Sequence, residues 1–189
     1  MATINADPRI VAMLDLIAWS EGTQLHPLTK YDGYDVIVSG DDGMHTFTDF
    51  SMHPFQLGRP RIAITYTPRP TLANQNPQRT LIYSTASGRY QIILTTWNIL
   101  ASKLDLHTFS PMQQDLAAQN LLMNCGAMKA LLSDDILAAI QAVAPVWASF
   151  PGGPYNQPTN AQTVLQAKYE DLLDNARAAV NLSNSTPAS

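Results

Sequence analysis

The stretch that decides the fold runs from Met13 to Thr23 and reads MLDLIAWSEGT. Glu21 continues the apolar series of this stretch at helical spacing, and Gly22 follows as a helix C-terminal glycine does. We therefore predict an amphipathic helix from Pro8 to Glu21, with a carboxylate at the end of its buried face. The apolar positions that define this face are Ile10, Met13, Leu14 and Ile17.

The position of Glu21 predicts an unusual carboxyl group. Burial beside Trp19 and the negative end of the helix dipole both favour the neutral form, so the pKa of Glu21 should be raised. A general acid needs a carboxyl group that holds its proton near neutral pH. The helix by itself leaves open an ordinary surface glutamate in a frayed last turn.

Composition limits the class of protein. The chain has 189 residues, of which 46% are hydrophobic, and this fits one domain with a substantial core. Only 14% are charged, the formal net charge is −4 and no basic cluster occurs, so no nucleic-acid binding is expected. The single cysteine, Cys125, excludes an intrachain disulfide. We find no signal-peptide pattern and no run of roughly 20 apolar residues, so no stable membrane association is expected.

The pattern along the chain predicts an α+β domain that is mostly helical, with a small antiparallel sheet after the first helix. Two hairpins are predicted, Tyr34–Val38 with His45–Phe50 and Arg61–Thr67 with Thr80–Thr85. A capping box at Ser110–Gln113 marks the start of one helix. The later helices are predicted at Gly88–Leu104, Ser110 to about Gly126, Met128–Leu132, Ser133 or Asp134 toward Trp147, and Asn160–Asn181. One domain would span residues 1–182, and 183–189 would be a disordered tail.

Six blocks of sequence, in order over about residues 9–158, resemble the lambda-type endolysin family. They are Met13–Thr23, Gly33–Val38, Phe47–Asp49 with His53-Pro54, Ser84-Thr85 with Gly88–Gln91, Phe109–Pro111 with Gln114-Asp115, and Trp147–Ser149 with Pro151-Gly152 and Tyr155. Beyond Asn160 little resemblance is visible, and the Arg59–Ile82 stretch is longer than in the lambda protein. The resemblance implies a lysozyme-like fold in which the sheet lobe forms one wall of a glycan cleft and helices form the other.

The resemblance also implies an activity, that of a peptidoglycan lytic transglycosylase. Such enzymes cleave the β-1,4 bond between N-acetylmuramic acid and N-acetylglucosamine and leave a 1,6-anhydro-muramyl end. By the match of its Ser-Glu-Gly-Thr block, Glu21 would be the single catalytic acid. One carboxyl group suffices, because after protonating the glycosidic oxygen it can accept the proton of the muramyl C6 hydroxyl.

The candidates for binding the glycan are Arg89, Tyr90, Gln91, Asp35 and Tyr155. By resemblance to a Gly-x-x-Gln block, Gln91 would contact an acetamido group or hold the attacking sugar. Tyr155 would hydrogen-bond the acid or, alternatively, anchor its loop. Tyr90 also lies on the apolar stripe of its predicted helix, so core packing is an equal alternative. Asp35 is a substrate-side candidate that could instead cap a turn or pair with an arginine.

Other chemistries are weaker alternatives. A muramidase on the same fold would become possible if Asp35 or Asp49 lay about 5–10 Å from Glu21, or if a positioned water faced that acid. A non-catalytic glycan-binding or virion module would leave Glu21 exposed to solvent. The recurrence of His45, Asp49 and His53 every four residues does not converge on a metal ion in strands and turns. No Gly-x-Ser-x-Gly motif supports a serine nucleophile.

The resemblance sets the expected partners. These would be the glycan strands of peptidoglycan, bound by a monomer that uses no metal or other cofactor. The protein would accumulate in the host cytoplasm and reach the periplasm and cell wall when a holin-type protein opens the inner membrane.

Overall fold

The computed structural model describes residues 1–4, 6–68, 74–154 and 159–185, with side chains through residue 182. Within these residues the chain forms six α-helices, four β-strands and a 3-10 helix at Pro54–Leu57. The helices are α1 (Pro8–Ser20), α2 (Leu94–Leu104), α3 (Pro111–Asn124), α4 (Ala127–Leu132), α5 (Ile136–Val143) and α6 (Gln162–Ser185). The strands are β1 (Val36–Gly40), β2 (Gly43–Thr46), β3 (Ile62–Tyr66) and β4 (Thr80–Ser84). None of the described helices has the length and apolar character needed to cross a membrane.

Helix α1 forms the centre of the core. Asp7 caps its N terminus by accepting a hydrogen bond from the amide of Arg9 (2.9 Å), and Pro8 occupies the first helical position. Every residue from Ile10 to Ala18 is buried, so the helix is covered on all sides rather than on one face. The long helix α6 packs against it and buries Leu165, Tyr169, Leu172 and Ala176.

The two predicted hairpins are confirmed within the described chain. Strand β1 pairs antiparallel with β2, and β3 pairs antiparallel with β4, with Ile62 opposite Ser84. A hydrogen bond from the amide of Asp41 to the carbonyl of Ala63 (2.8 Å) joins the two hairpins into one lobe. The sheet lobe therefore consists of two linked two-stranded sheets.

Residues 88–93, predicted as the start of a helix, form a tight turn instead, and α2 begins only after it. Two backbone hydrogen bonds between Ser87 and Ile92 (3.2 and 3.0 Å) close this turn. Gly88 and Gln91 have φ angles of 76° and 49°, which are incompatible with an α-helix. The prediction is wrong because the apolar spacing of the turn coincides with that of a helix, and periodicity carries no information on the sign of φ.

Two smaller predictions also change. Ser110 makes no side-chain cap on α3, and Gln113 accepts a hydrogen bond from the amide of Thr108 (2.7 Å), so the predicted capping box is absent.

Helix α6 continues to Ser185, so the start of the predicted disordered tail is helical. Helices extend cooperatively once a packed segment has formed, which accounts for the extra residues. The remainder of the predicted tail, 186–189, lies outside the described residues.

A buried histidine holds the 88–93 turn against the aromatic core. His53 is fully buried, and its Nε2 donates to the carbonyl of Ile92 (3.0 Å). Its ring lies 4.7 Å from that of Phe109, which in turn packs 4.7 Å from Trp97. Burial lowers the pKa of His53 to about 4, so the ring is neutral near pH 7.

Acidification should destabilise the fold through His53. The unfolded chain binds a proton near pH 6.5 and the folded chain only near pH 4, so stability is greatest above 6.5 and falls as the pH drops between these values. The full pKa difference corresponds to about 3 kcal/mol. Urea unfolding at about pH 7.5 and about pH 4.5 measures the loss. A His53→Gln variant, whose amide can still donate to the carbonyl of Ile92, should lose less stability over this interval, and an equal loss would contradict the prediction.

Candidate active site

A cleft of about 490 Å³ lies between the sheet lobe and the helices. Its walls are mostly apolar and include Val38, Ile64, Ile82, Leu121, Val146 and Trp147. The carboxyl group of Glu21 lies in this wall, at the C-terminal end of α1. Among the described lining residues Glu21 is the only carboxylate, so the predicted acid lies at the junction of the lobe and the helices.

The end of α1 determines where Glu21 lies. Glu21 is the last residue with helical backbone angles, and Gly22 then reverses the chain with a φ of 72°. The amide of Thr23 donates back to the carbonyl of Ala18 (3.0 Å), which completes a Schellman-type helix end. The hydroxyl of Thr23 donates to the carbonyl of Arg89 (2.6 Å). This bond ties the segment that carries Glu21 to the 88–93 turn.

The environment of the Glu21 carboxyl group favours its protonated form. The side chain is half-buried, and burial raises its pKa. Oε1 accepts a hydrogen bond from the hydroxyl of Ser149 (2.7 Å), which lowers the pKa but does not outweigh burial. The raised pKa predicted from the sequence is therefore confirmed in direction, and a solvated surface glutamate does not describe this residue.

Gln91 lies in the same cleft as Glu21, on the 88–93 turn. Its Nε2 donates to the carbonyl of Gly88 (3.0 Å), so the side chain is held against its own turn. The side chain is partly exposed. Of the predicted glycan-binding residues that the structure describes, Gln91 is the one with an accessible side chain in the same cleft as the acid.

Gly88 begins this turn and has no room for a side chain. A Cβ atom there would lie 2.1 Å from Oε1 of Gln114, which accepts a hydrogen bond from the amide of Arg89 (3.0 Å). Gln114 is buried and also donates to the carbonyls of Tyr34 and Phe109 (3.0 and 2.8 Å). Any residue larger than glycine must therefore displace a side chain that holds three segments together.

Gly88→Ala should lower the free energy of unfolding by about 2–4 kcal/mol, because the clash with Gln114 adds to the cost of a positive φ. Gly58→Ala is the matched control, since Gly58 has a similar φ of 82° and nothing within 4 Å of its would-be Cβ. Urea unfolding of both variants separates the two costs. Equal losses would show that the contact with Gln114 contributes nothing.

Arg89 does not reach the cleft. Its side chain is fully buried, and its guanidinium group forms ion pairs with Asp15 (2.8 Å) and Asp32 (2.9 Å). It also lies over the ring of Tyr34, 5.2 Å from the centroid. This placement contradicts the predicted contact with substrate: Arg89 instead compensates the buried charge of Asp15.

Tyr90 borders the cleft, but its side chain is fully buried. Its hydroxyl donates to Oδ1 of Asp115 (2.5 Å), which also accepts from the hydroxyl of Tyr34 (2.7 Å). Its backbone carbonyl accepts a hydrogen bond from Nε1 of Trp147 (2.9 Å) and so fixes the turn to the helical wall. The alternative of core packing is therefore correct for Tyr90.

Neither candidate for a second carboxylate lines the cleft. Asp35 is buried, accepting hydrogen bonds from the hydroxyl of Thr29 and the amide of Lys30 (2.9 Å), so it stabilises the loop before β1. This contradicts the predicted contact of Asp35 with substrate. Asp49 is exposed on the segment after β2. Tyr155, the remaining candidate, lies outside the described residues.

The regularly spaced His45, Asp49 and His53 have separate environments. His45 lies 3.0 Å from Asp42, and His53 lies in the aromatic core. Within the described part of the chain, no three His, Cys, Asp or Glu side chains are grouped to hold a metal ion.

Ser149 is a site residue that sequence reasoning missed. It lies 128 positions from Glu21 in the sequence. Its spatial neighbours Ser20 and Asn160 are joined by a hydrogen bond although 140 positions separate them. The block from Trp147 to Ser149 signalled that this segment matters, but nothing in the sequence pairs its hydroxyl with the acid.

Comparisons with known proteins agree with this architecture. A family model described as Endolysin matches residues 11–175, so the similarity continues past Asn160, where the sequence blocks end. The endolysin of Escherichia phage P2 is 42% identical over 158 residues, which are 83% of this chain and 88% of that protein. The endolysin of Escherichia phage lambda is 35% identical over 161 residues, 85% of this chain and 88% of that protein.

Two solved structures of a phage lysozyme are also similar to this chain. The lambda lysozyme complexed with a chitohexasaccharide superimposes with a TM-score of 0.70 at 34% identity, covering 90% of this chain and 97% of that one. A second structure of lysozyme from bacteriophage lambda has a TM-score of 0.64 at 30% identity and covers 94% and 97% of the two chains. With a lysozyme-like α+β fold, an acid at the junction of its two walls and a family match over most of its length, the chain belongs to the endolysin family of peptidoglycan-degrading phage proteins.

Proposed function

We propose that this endolysin is a lytic transglycosylase in which Glu21 acts first as the acid and then as the base. One observation carries the proposal: the described lining of the cleft contains a single carboxyl group, and burial raises its pKa. A hydrolase that uses two carboxylates needs a partner across the scissile bond. Asp35 and Asp49, the two candidates for that partner, do not line the cleft.

In the first step Glu21 donates its proton to the glycosidic oxygen between N-acetylmuramic acid and N-acetylglucosamine. The bond from C1 to that oxygen breaks, and its electron pair leaves with the oxygen. The apolar walls favour this step, because burial among them penalises the carboxylate and so raises the pKa of Glu21.

In the second step Glu21, now a carboxylate, removes the proton of the muramyl C6 hydroxyl while that oxygen bonds to C1. The ring of the 1,6-anhydro product closes, and Glu21 regains its proton. The desolvation that raises the pKa also makes the carboxylate a stronger base, so one residue serves both steps.

The cleft is proposed to hold the glycan strand of peptidoglycan. The chitohexasaccharide bound to the lambda relative is a related β-linked chain of amino sugars and supports a glycan as the ligand. Gln91 is the polar side chain placed to hydrogen-bond an acetamido group. Apolar residues such as Ile64 and Ile82 would contact the faces of the sugar rings.

The route to the substrate is also a proposal. A phage endolysin made in the host cytoplasm would reach the periplasm and cell wall once a holin-type protein opens the inner membrane. It would act there as a monomer.

Mass spectrometry of the products formed from purified peptidoglycan tests the proposed function. Transglycosylation yields anhydro-muropeptides, each lighter by one water molecule than the corresponding product of hydrolysis. Reducing muropeptides would instead identify a muramidase on the same fold. Retained glycan binding without any cleavage would identify a non-catalytic glycan-binding module.

A further inference from the structure

Three polar side chains form a hydrogen-bonded chain that ends on Glu21. Nδ2 of Asn160 donates to Oγ of Ser20 (2.9 Å), Ser20 donates to Oγ of Ser149 (2.8 Å), and Ser149 donates to Oε1 of Glu21 (2.7 Å). The amide of Asn160 also donates to the carbonyl of Ser149 (3.0 Å), which fixes these two residues beside each other. This series of hydrogen bonds thus joins the end of α1, the loop after α5 and the segment before α6.

The hydrogen bonds of this chain all run in one direction. The Nδ2 group of Asn160 can only donate, so the hydroxyl of Ser20 accepts from it. Ser20 then directs its single hydrogen to Ser149, which directs its own to Glu21. Hydrogen bonds aligned in this way polarise and strengthen one another.

We propose that Asn160, Ser20 and Ser149 are positioning residues that hold Oε1 of Glu21 as a hydrogen-bond acceptor and confine the transferable proton to Oε2. The proposal rests on the proposed function, in which Glu21 is acid and then base. Oε2 loses its proton to the glycosidic oxygen, and the electron pair of the broken C1–O bond leaves with that oxygen. Oε2 then takes the proton of the C6 hydroxyl as that oxygen bonds to C1, so the acid returns to its starting form.

Within the described residues, no other titratable group takes part in this arrangement. Burial and the hydrogen bond from Ser149 are the causes that shift the pKa of Glu21. Tyr90 is the other titratable residue in the cleft lining, and its hydroxyl is bound inside the core. On α6, Lys168 and Asp171 border a separate groove. The chain of neutral donors is therefore the means by which the protein orients this carboxyl group.

The direct test is the pKa of Glu21, measured by NMR titration of protein carrying ¹³C-labelled glutamate carboxyl groups. Ser149→Ala removes the donor to the carboxylate and should raise this pKa by about one unit. Asn160→Ala should raise it by a smaller amount. The double variant should match Ser149→Ala alone, because Asn160 acts through Ser149. Ser149→Thr keeps a hydroxyl and should restore the wild-type value.

Asn124→Ala is the matched control, since this asparagine donates to Asn120 in α3 and should leave the pKa of Glu21 unchanged. An unchanged pKa in Ser149→Ala, or additive shifts in the double variant, would overturn the proposal. The basic limb of the pH profile of kcat/KM on peptidoglycan should move upward with the NMR value. If the NMR value moves and the rate profile does not, the hydrogen-bonded chain is supported and the acid role of Glu21 is contradicted.

Discussion

Glu21→Gln is expected to reduce cleavage of peptidoglycan by about a thousand-fold or more, because the variant lacks both the acid of the first step and the base of the second. The substitution keeps the size of the side chain and an oxygen that can accept from Ser149. Clearing of purified peptidoglycan, followed by mass spectrometry of the soluble products, measures the loss.

The melting temperature of the Glu21→Gln variant is the control that shows whether this variant still folds. A carboxyl group whose pKa is raised in the folded state stabilises the protein least at pH values above that pKa, because the unfolded chain releases its proton more readily. Removing the carboxyl group should therefore leave the melting temperature near pH 7 unchanged or higher. A lower melting temperature would indicate that lost activity reflects lost structure.

Asp49→Asn is the matched comparison for the single-carboxylate mechanism. Asp49 is an exposed carboxylate of the sheet lobe, and its replacement should leave cleavage near the wild-type rate. A loss in this variant as large as that in Glu21→Gln would show that two carboxylates take part, and would favour the muramidase.

Arg89→Met is expected to cost about 3–5 kcal/mol of folding free energy, because it leaves the carboxylate of Asp15 buried without its partner. Arg89 is 0% exposed and Asp15 is 2% exposed, so water cannot replace the lost ion pair. Urea unfolding at neutral pH measures the cost. Arg79→Met, on an exposed arginine, should change stability little by comparison.

Two further variants separate a structural role of Arg89 from contact with substrate. Arg89→Lys keeps the charge but loses the planar fork that reaches both Asp15 and Asp32, so it should recover only part of the stability. The double variant Arg89→Met with Asp15→Leu removes both buried charges and should recover part of it as well. If Arg89→Lys instead raised KM with unchanged stability, Arg89 would contact the glycan.

Much of the fold could be predicted because its signals are local. Helix α1 follows from the cap at Asp7-Pro8, the apolar spacing and the glycine at Gly22. Strand alternation and turn residues gave both hairpins, although strand ends moved by a few residues. The 88–93 turn was missed, since its apolar residues repeat at helical spacing while Gly88 and Gln91 have positive φ. The family match runs to residue 175, whereas the sequence blocks that carry the resemblance end before Asn160.

The sequence by itself determined the fold class, the helix that leads to Glu21 and the direction of the pKa shift of that carboxyl group, because helix caps and apolar spacing are properties of neighbouring residues. The tertiary structure alone decided which side of the 88–93 turn each side chain faces. It turned Arg89 and Tyr90 into the core and Gln91 toward the cleft. It also brought Ser149 to Glu21 across 128 positions. Contacts of that range depend on which segments meet when the helices pack, and the periodicity of a single sequence shows a buried face but not its partner.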